Sequence, residues 1–262
     1  MSPAVSLRLD SCRKRGLILT RLLIIKTGSA VTEVRRRHGD FDAWFRQSMA
    51  LSEADCTVVS VHDEEELPAD PGSVGAVLVT GSPAMVSHRA EWSERTAAWL
   101  RDFHALARPL LGVCYGHQLI AHALGGRVGP NPRGRHMGTR QVRILAEDDP
   151  LLGSCHPEAK FQVTHVEVVL EPPPGARVLA RAEHDPHHAL HFGHRSWGLQ
   201  FHPEFDRAVM AAYIESRASV LAGEGIASER LLASLESAPQ GSQVLERFCR
   251  MMTTDSSVSK PS

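Results

Sequence analysis

A single cysteine stands between two glycines in residues 112–116 (Gly-Val-Cys-Tyr-Gly), after an apolar run and before a helical pattern. The spacing Gly-x-Cys-x-Gly is that of a nucleophile elbow with sulfur in place of oxygen. A direct turn from strand to helix strains the turn residue, and the small flanking residues let strand and helix pack closely. The positive end of the helix favours the reactive thiolate. Cys114 is therefore the candidate nucleophile, and the alternative is a buried structural cysteine.

A candidate base lies far downstream, in residues 200–204 (Gln-Phe-His-Pro-Glu). His202 and Glu204 stand two apart at the end of a predicted strand, so their side chains point the same way. Glu204 can then hold the imidazole of His202 while the ring faces Cys114. Cysteine catalysis needs such a base to form the thiolate and to protonate the leaving amine. A His-x-Glu pair considered alone is more typical of a protein surface.

The donors for an oxyanion would be two backbone amides. Elbow geometry assigns one to Tyr115, directly after the nucleophile. The other is expected from the turn at residues 81–83 (Gly-Ser-Pro), with the Ser82 amide as donor. Ligands of parallel sheets bind at the carboxyl ends of the strands, and both turns follow predicted strands.

The elements around these motifs alternate as in an α/β protein. Short apolar runs predict buried parallel strands at residues 21–25, 57–61, 74–79 and 110–113. Helices are predicted after Asp40, which can cap the first turn, at 93–107, from the elbow to Gly125-Gly126, and in 209–214. Short strands from residue 127 onward, among them the polar and apolar alternation at 141–145, predict antiparallel hairpins before 197–201 returns to the central sheet. The fold class is α/β, a mainly parallel sheet flanked by helices, with a small antiparallel addition and C-terminal helices.

Composition narrows the class of protein. Of the 262 residues, 42% are hydrophobic and 23% are charged, and the formal net charge is −1. This charge balance does not indicate the basic surface that binds nucleic acid or an anionic membrane. The longest apolar runs are too short to span a bilayer, and residues 1–20 lack a signal-peptide pattern. Five irregularly spaced cysteines without a CxxC pair favour a reducing compartment. We expect a cytoplasmic protein that binds neither nucleic acid nor membrane.

The chain shows no internal repeat and no linker between two folding units. Three regions are predicted: a disordered N-terminal extension at 1–20, a main domain at 21–216 and a C-terminal helical tail at 217–262. The tail is expected to hold two helices, near 227–236 and 242–252.

Three separated motifs, in this order along the chain, resemble those of the class I glutamine amidotransferase family. They are residues 81–83, 112–118 and 200–204. The likeness covers roughly 21–216 and is to stand-alone proteins similar to the amidotransferase domain of GMP synthase. It implies a flavodoxin-like fold, no cofactor, and hydrolysis of the glutamine side-chain amide through a γ-glutamyl thioester. Cys114 would be the nucleophile, His202 the base and Glu204 its partner.

The resemblance also implies substrate contacts. Gly81 and Gln118 match positions that bind the substrate, and Thr164-His165 resembles a segment near the amino-acid end of bound glutamine. The usual oxyanion turn of the family is Gly-Gly-Pro, whereas Ser82 stands here at the second position. Serine is compatible with this role if its φ is negative, because the amide is the donor.

After residue 216 only short helices are predicted, with neither an ATP-pyrophosphatase domain nor a Gly-rich phosphate loop. We therefore expect that the chain cannot make GMP by itself. It either delivers ammonia to a separate synthetase or acts as a γ-glutamyl peptidase or amide hydrolase with the same three residues. A third hypothesis is a redox or regulatory module that uses the thiol of Cys114. The presence of His202 and Glu204 favours hydrolysis, because sensing needs no proton shuttle.

Two other groups of residues have side chains that could form sites. The densest histidine cluster is 184–188, with His191 and His194 beyond it. Metal ligands must converge, and a proline turn with strand alternation is expected to scatter these side chains, so no metal site is predicted. Three arginines lie in the loop after the elbow helix: Arg133, Arg135 and Arg140. They fit either a solvated loop or the docking of an anionic substrate or partner.

Overall fold

Strands form the centre of the structure, a computed structural model that describes residues 17–19 and 21–255. The strands are β1 (Leu17–Leu19), β2 (Leu22–Lys26), β3 (Cys56–Ser60), β4 (Ala76–Val79), β5 (Leu110–Val113), β6 (Arg127–Pro130), β7 (His136–Ile144), β8 (Glu158–His165), β9 (Glu167–Glu171), β10 (Arg177–Ala182), β11 (Asp185–His191), β12 (Ser196–Leu199) and β13 (Thr253–Asp255). The helices are α1 (Thr32–His38), α2 (Phe41–Ser48), α3 (Glu91–Ala105), α4 (Tyr115–Ala123), α5 (Arg207–Ser216), α6 (Ala218–Gly223), α7 (Ser228–Ala233) and α8 (Gln240–Met251).

Nine of these strands form one sheet in the order β3-β2-β4-β5-β12-β11-β10-β7-β8. The first five pair in parallel, and from β12 to β8 every pairing is antiparallel. The strand β12 is the junction between the two halves. This arrangement confirms the predicted α/β class with a mainly parallel centre and an antiparallel addition.

The parallel strands are apolar on both faces because helices cover both faces. On one face Leu22 and Ile24 of β2 join a core cluster that includes residues of α2 and α8. On the other, Leu23 and Ile25 join a cluster with residues of α3 and α4. The alternation along β2 therefore divides one short apolar run between two cores, and hydrophobicity alone could not reveal that division.

Asp40 caps helix α2, as predicted. Its Oδ1 accepts hydrogen bonds from the amides of Phe41 at 2.9 Å and Ala30 at 2.7 Å. Its Oδ2 accepts one from the Lys26 ammonium at 2.8 Å. The cap thus also joins the end of β2 to the start of α2 and fixes where Phe41 enters the core.

The structure differs from the predictions at several elements. Helices α1 and α6 were not predicted, and β7 begins at His136 rather than near residue 141. Gly138, with φ of +100°, interrupts the polar and apolar alternation from which the start of β7 would be recognised. Of the predicted N-terminal extension at 1–20, only β1 is among the described residues, where it pairs with β13. Within the described residues, no helix has both the length and the apolar character required to cross a membrane.

The C-terminal helices pack onto the rest of the domain. Leu221 and Leu231 belong to the same core cluster as Trp44 and Phe205. At the start of α8, Gly241 lies against Pro203, and a Cβ placed there would be 2.5 Å from the Pro203 carbonyl oxygen. Helix α8 therefore supports the loop that follows β12. The division between a main domain and a C-terminal tail at 216/217 stays a prediction.

Gly241→Ala is expected to lower the free energy of unfolding by about 1–3 kcal/mol, because the new methyl group meets backbone rather than a side chain that can turn away. Gly223→Ala is the matched control, since a Cβ at that position, the last residue of α6, meets nothing within 4 Å. This control substitution is expected either to leave the free energy of unfolding unchanged or to raise it by up to about 1 kcal/mol. Urea denaturation measures both changes, and equal stability of the two variants would contradict the packing argument.

Candidate active site

Cys114 lies at a strained turn between β5 and α4. Its φ and ψ are 52° and −102°, a conformation that a non-glycine residue rarely adopts. A Cβ at Gly112 would lie 2.4 Å from the Gly116 carbonyl oxygen, and one at Gly116 would lie 2.4 Å from the Val79 carbonyl oxygen. The steric reason for the two glycines is therefore confirmed, and the turn presents the cysteine at the carboxyl end of the sheet.

His202 follows β12, and its amide donates to the Gln162 carbonyl at 2.8 Å. Its Nδ1 is 2.7 Å from Glu204 Oε1, and both side chains are buried. The ring of Phe205 stacks on the imidazole with centroids 4.1 Å apart, and the Phe41 ring lies 6.2 Å away. Among the described residues, Nε2 of His202 and Oε2 of Glu204 have no hydrogen-bond partner. The geometry leaves one nitrogen of a fixed ring available for proton transfer.

Burial opposes the positive charge of His202, but the electrostatic effects of the Glu204 carboxylate and of Cys114 outweigh it. Together with the hydrogen bond to Glu204, they raise the pKa of His202 to about 10. The ring is therefore an imidazolium at neutral pH, held against a carboxylate and next to the sulfur. The Cys114 Sγ also lies 3.8 Å from the Thr164 carbonyl oxygen.

The two predicted oxyanion donors belong to one edge of the site. The Gly116 amide donates to the Thr80 carbonyl at 3.1 Å, which ties the elbow to the turn after β4. The Ser82 hydroxyl donates to the Thr27 carbonyl at 2.7 Å. The amides of Ser82 and Tyr115 have no acceptor among the described residues. Ser82 is not among the residues with positive φ, so the condition for a serine at this position is met.

Gly81 lies against His202, the candidate base. A Cβ at this position would be 2.9 Å from His202 Cε1 and 3.3 Å from Phe41 Cε1. The absence of a side chain therefore lets the imidazole approach the turn. Substrate contact by Gly81 stays a prediction.

A narrow cleft of about 90 Å³ opens at the sulfur. Its lining residues are Ser82, Pro83, Ala84, Met85, Cys114, Tyr115, Gln118, Arg135, Thr164, His165, Val166, Glu167 and Arg217. Gln118 Nε2 donates to the Glu167 carbonyl at 2.7 Å and to Gln200 Oε1 at 3.0 Å, so the amide is fixed in the cleft wall. Of the residues predicted to contact substrate, Gln118, Thr164 and His165 line this cleft together with Cys114. Gly81 is not one of the lining residues.

A larger cavity of about 640 Å³ lies at the other end of the parallel strands. Its lining residues are Arg21, Leu22, Leu23, Thr57, Pro68, Ser73, Val74, Gly75, Arg108, Pro109, Arg195, Met251 and Met252. Many of them precede or begin β2, β4, β5 and β12. Because open α/β sheets bind ligands at the carboxyl ends of their strands, we place the candidate site at the smaller cleft.

Two arginines reach the cleft, and only Arg135 was among the candidates predicted from the sequence. Arg135 binds Glu224 with two hydrogen bonds, of 2.7 and 2.8 Å. Arg217 has a buried Nε with no hydrogen-bond partner among the described residues. Of the other two loop arginines, Arg133 donates to the Glu183 carbonyl and Arg140 to the Thr139 carbonyl. Arg217 follows α5 outside any motif, so no sequence signal marks it.

The expected scattering of the histidines after residue 183 is wrong for part of the cluster. Ligand-capable atoms of His165, Asp185 and His188 all lie within 4.8 Å of one another. Strict alternation would place Asp185 and His188 on opposite faces, but the β10–β11 pairing contains register shifts that interrupt the alternation. His191 and His194 do lie elsewhere, against Trp197 and His104. The third member of the group, His165, comes from β8 and is far away in the sequence.

Comparisons with known proteins place the chain among amidotransferases. The sequence model described as "Glutamine amidotransferase class-I" matches residues 38–218. GMP synthase (glutamine-hydrolyzing) of Pyrobaculum aerophilum is 38% identical over 143 residues, which are 54% of this chain and 26% of that protein. One subunit of the glutamine-hydrolyzing GMP synthase of Halobacterium salinarum is 33% identical over 168 residues, 64% of this chain and 85% of that one.

A solved glutamine amidotransferase from Thermotoga maritima superposes with a TM-score of 0.70 at 19% identity, over 90% of this chain and 99% of that one. At this identity the likeness shows the fold alone. The chain spans about a quarter of the GMP synthase of Pyrobaculum but most of the synthase subunit of Halobacterium. Since the sequence model covers residues 38–218, and with them all three motifs, this chain belongs to the class-I glutamine amidotransferase family.

Proposed function

We propose that this protein hydrolyses the side-chain amide of glutamine through a thioester at Cys114 and releases ammonia for a separate synthetase. The observation that carries the proposal is the His202 ring, held 2.7 Å from Glu204 beside a cysteine at a strained elbow. Relatives named as glutamine-hydrolyzing GMP synthases support glutamine as substrate. The Halobacterium relative is one subunit of such a synthase, which supports a synthetase as partner.

The proposed reaction has two half-reactions. The sulfur of Cys114 attacks the amide carbon, and the amides of Ser82 and Tyr115 stabilise the resulting oxyanion. The imidazolium of His202 then donates its Nε2 proton to the departing ammonia, which leaves an acyl thioester. Water attacks this thioester while the neutral ring accepts its proton, and glutamate leaves as the sulfur is released.

Glu204 makes the acid step possible at neutral pH, because its carboxylate stabilises the imidazolium in a buried position. Gln118 and the Thr164-His165 segment are proposed to hold the amino-acid end of the substrate, since both line the cleft beside the sulfur. Of the two cations in the cleft, Arg135 is already paired with Glu224. Arg217 also lines the cleft, and its Nε has no hydrogen-bond partner among the described residues.

A second candidate is a γ-glutamyl peptidase or amide hydrolase with the same three residues. The unpartnered Nε of Arg217 favours it, because a γ-glutamyl dipeptide has a second carboxylate beyond the amide that is cleaved. The bond attacked and the roles of Cys114 and His202 are the same in both candidates. They differ in the leaving group, which is ammonia in the first and an amino acid or amine in the second.

Release of glutamate and ammonia by the purified protein tests these proposals, with glutamine and a panel of γ-glutamyl dipeptides as substrates. Cys114→Ala is expected to lower turnover by at least about 10⁴-fold, because it removes the nucleophile. Cys56→Ala is the matched control, since Cys56 is also buried but starts strand β3 at the sheet edge.

Undiminished turnover in Cys114→Ala would contradict the proposed nucleophile. Preference for dipeptides over glutamine would assign the second candidate. If no γ-glutamyl compound is cleaved and the thiol of Cys114 oxidises readily, the redox hypothesis replaces both.

Glu204→Gln is expected to lower the pKa of His202 from about 10 toward its usual 6.5, because removal of the carboxylate destabilises the imidazolium. The alkaline limb of the pH profile of kcat/KM should move down with it. Glu94→Gln is the control, because Glu94 also lies 2.9 Å from a histidine, His122, but outside the cleft. NMR of ¹⁵N-labelled histidine rings follows the titration without substrate, and an unchanged titration of His202 in Glu204→Gln would contradict the assignment.

A further inference from the structure

Four buried polar side chains meet beside the cleft. His136 comes from the start of β7, His165 from the end of β8, and Asp185 and His188 from β11. Each is at most 5% exposed. The ring centroid of His165 lies 5.4 Å from that of His136 and 5.9 Å from that of His188, and the latter two are 6.1 Å apart. Three imidazoles and a carboxylate therefore share one interior position.

Hydrogen bonds determine which nitrogens carry protons. His188 Nδ1 is 2.9 Å from Asp185 Oδ2, and His165 Nδ1 is 3.1 Å from the Glu167 carbonyl oxygen. Both partners are acceptors, so each Nδ1 is the donor and each Nε2 of a neutral ring keeps its lone pair. The other carboxylate oxygen of Asp185 accepts from the His187 amide at 2.9 Å, which fixes the carboxylate.

The lone pairs left over have no partner among the described residues. Nε2 of His165, Nε2 of His188 and Nδ1 of His136 are all buried and unsatisfied. Buried polar atoms in native proteins are rarely unpaired, and three around one position call for a common partner. A cation that accepts lone pairs from several imidazoles would satisfy all of them.

We propose that the free nitrogens of His136, His165 and His188 bind one divalent transition-metal ion of the zinc class, and that Asp185 orients His188 through its Nδ1–H. A neutral imidazole whose second nitrogen donates to a carboxylate is a typical ligand of zinc and its neighbours, whereas calcium and magnesium prefer sites built from oxygen alone. Three imidazoles on one tetrahedral zinc, with Zn–N of about 2.0–2.1 Å, have ring centroids about 5 Å apart. The three centroids here are 5.4, 5.9 and 6.1 Å apart, so small side-chain shifts close the site.

The bound ion would join strands β7, β8 and β11 beside the cleft. His165 also lines the cleft, and the neighbouring Thr164 carbonyl oxygen lies 3.8 Å from the Cys114 Sγ. A metal on His165 would fix the end of β8, and therefore the position of this cleft wall. The site is thus a structural one that supports the cleft, and no chemical step depends on it.

Metal titration of tag-free, chelator-treated protein tests the proposal. A Cys114→Ser background removes the sulfur, so Cys114 cannot supply a competing ligand. We expect one Zn²⁺ or Co²⁺ per chain, a higher Tm with metal, and the intense visible bands of tetrahedral Co²⁺ without a thiolate charge-transfer band. Because these readouts need no substrate, they are independent of the proposed hydrolysis.

Variants locate the ion. His188→Gln is expected to abolish stoichiometric binding, and Asp185→Asn to weaken it by about 10–100-fold, the usual effect of losing a group that orients or polarises a ligand. His191→Gln is the matched control, because His191 lies on the same strand but packs against Trp197. Circular dichroism verifies the fold of each variant.

Absence of stoichiometric binding to the chelator-treated parent at micromolar metal would overturn the proposal, as would an octahedral Co²⁺ spectrum. Both outcomes are read from the parent and do not depend on a variant folding. Unchanged affinity in a folded His188→Gln variant would overturn it as well, because the ion would then lie elsewhere.

Discussion

The close approach of β4, β5 and α4 is the constraint on which the candidate site depends. Helix α4 lies so near the sheet that Gly116 touches the backbone of Val79 and Gly112 touches that of Gly116. Only glycine, which has no side chain, fits at these two contacts. The turn between the two glycines has no room to relax, so Cys114 keeps its positive φ and its sulfur stays at the strand end.

The register of two neighbouring parallel strands brings the candidate base, His202, to this sulfur. Leu199 of β12 pairs with Val113 of β5, and the Cys114 amide donates to the Leu199 carbonyl at 2.7 Å. The chain that follows each strand therefore emerges on the same side, and the segment with His202 runs past the elbow. Because β12 is the junction between the parallel and antiparallel halves, the antiparallel strands form the far wall of the cleft.

Local sequence was sufficient for the parallel strands, the elbow and the cap at Asp40. Each of these depends on neighbours within a few residues, through apolar runs, small residues at fixed spacing or an acceptor before a helix. The contents of the cleft wall depend on pairing between distant strands. Arg217 lies outside any motif, and the meeting of His136 with His165 follows from the β7–β8 register rather than from spacing. The same register, together with the irregular β10–β11 pairing, explains why the histidines converge instead of alternating.

The stacking of Phe205 on His202 has a consequence for the order of events in catalysis. A ring confined by an aromatic face, by Gly81 at one edge and by a carboxylate at Nδ1 cannot swing toward one partner and then another. In the proposed mechanism, the same nitrogen would have to serve the outgoing amine and the incoming water from one position. The two would occupy the same volume in succession, so water would enter only after the first product has gone. Departure of that product would then set the moment at which the second half-reaction begins.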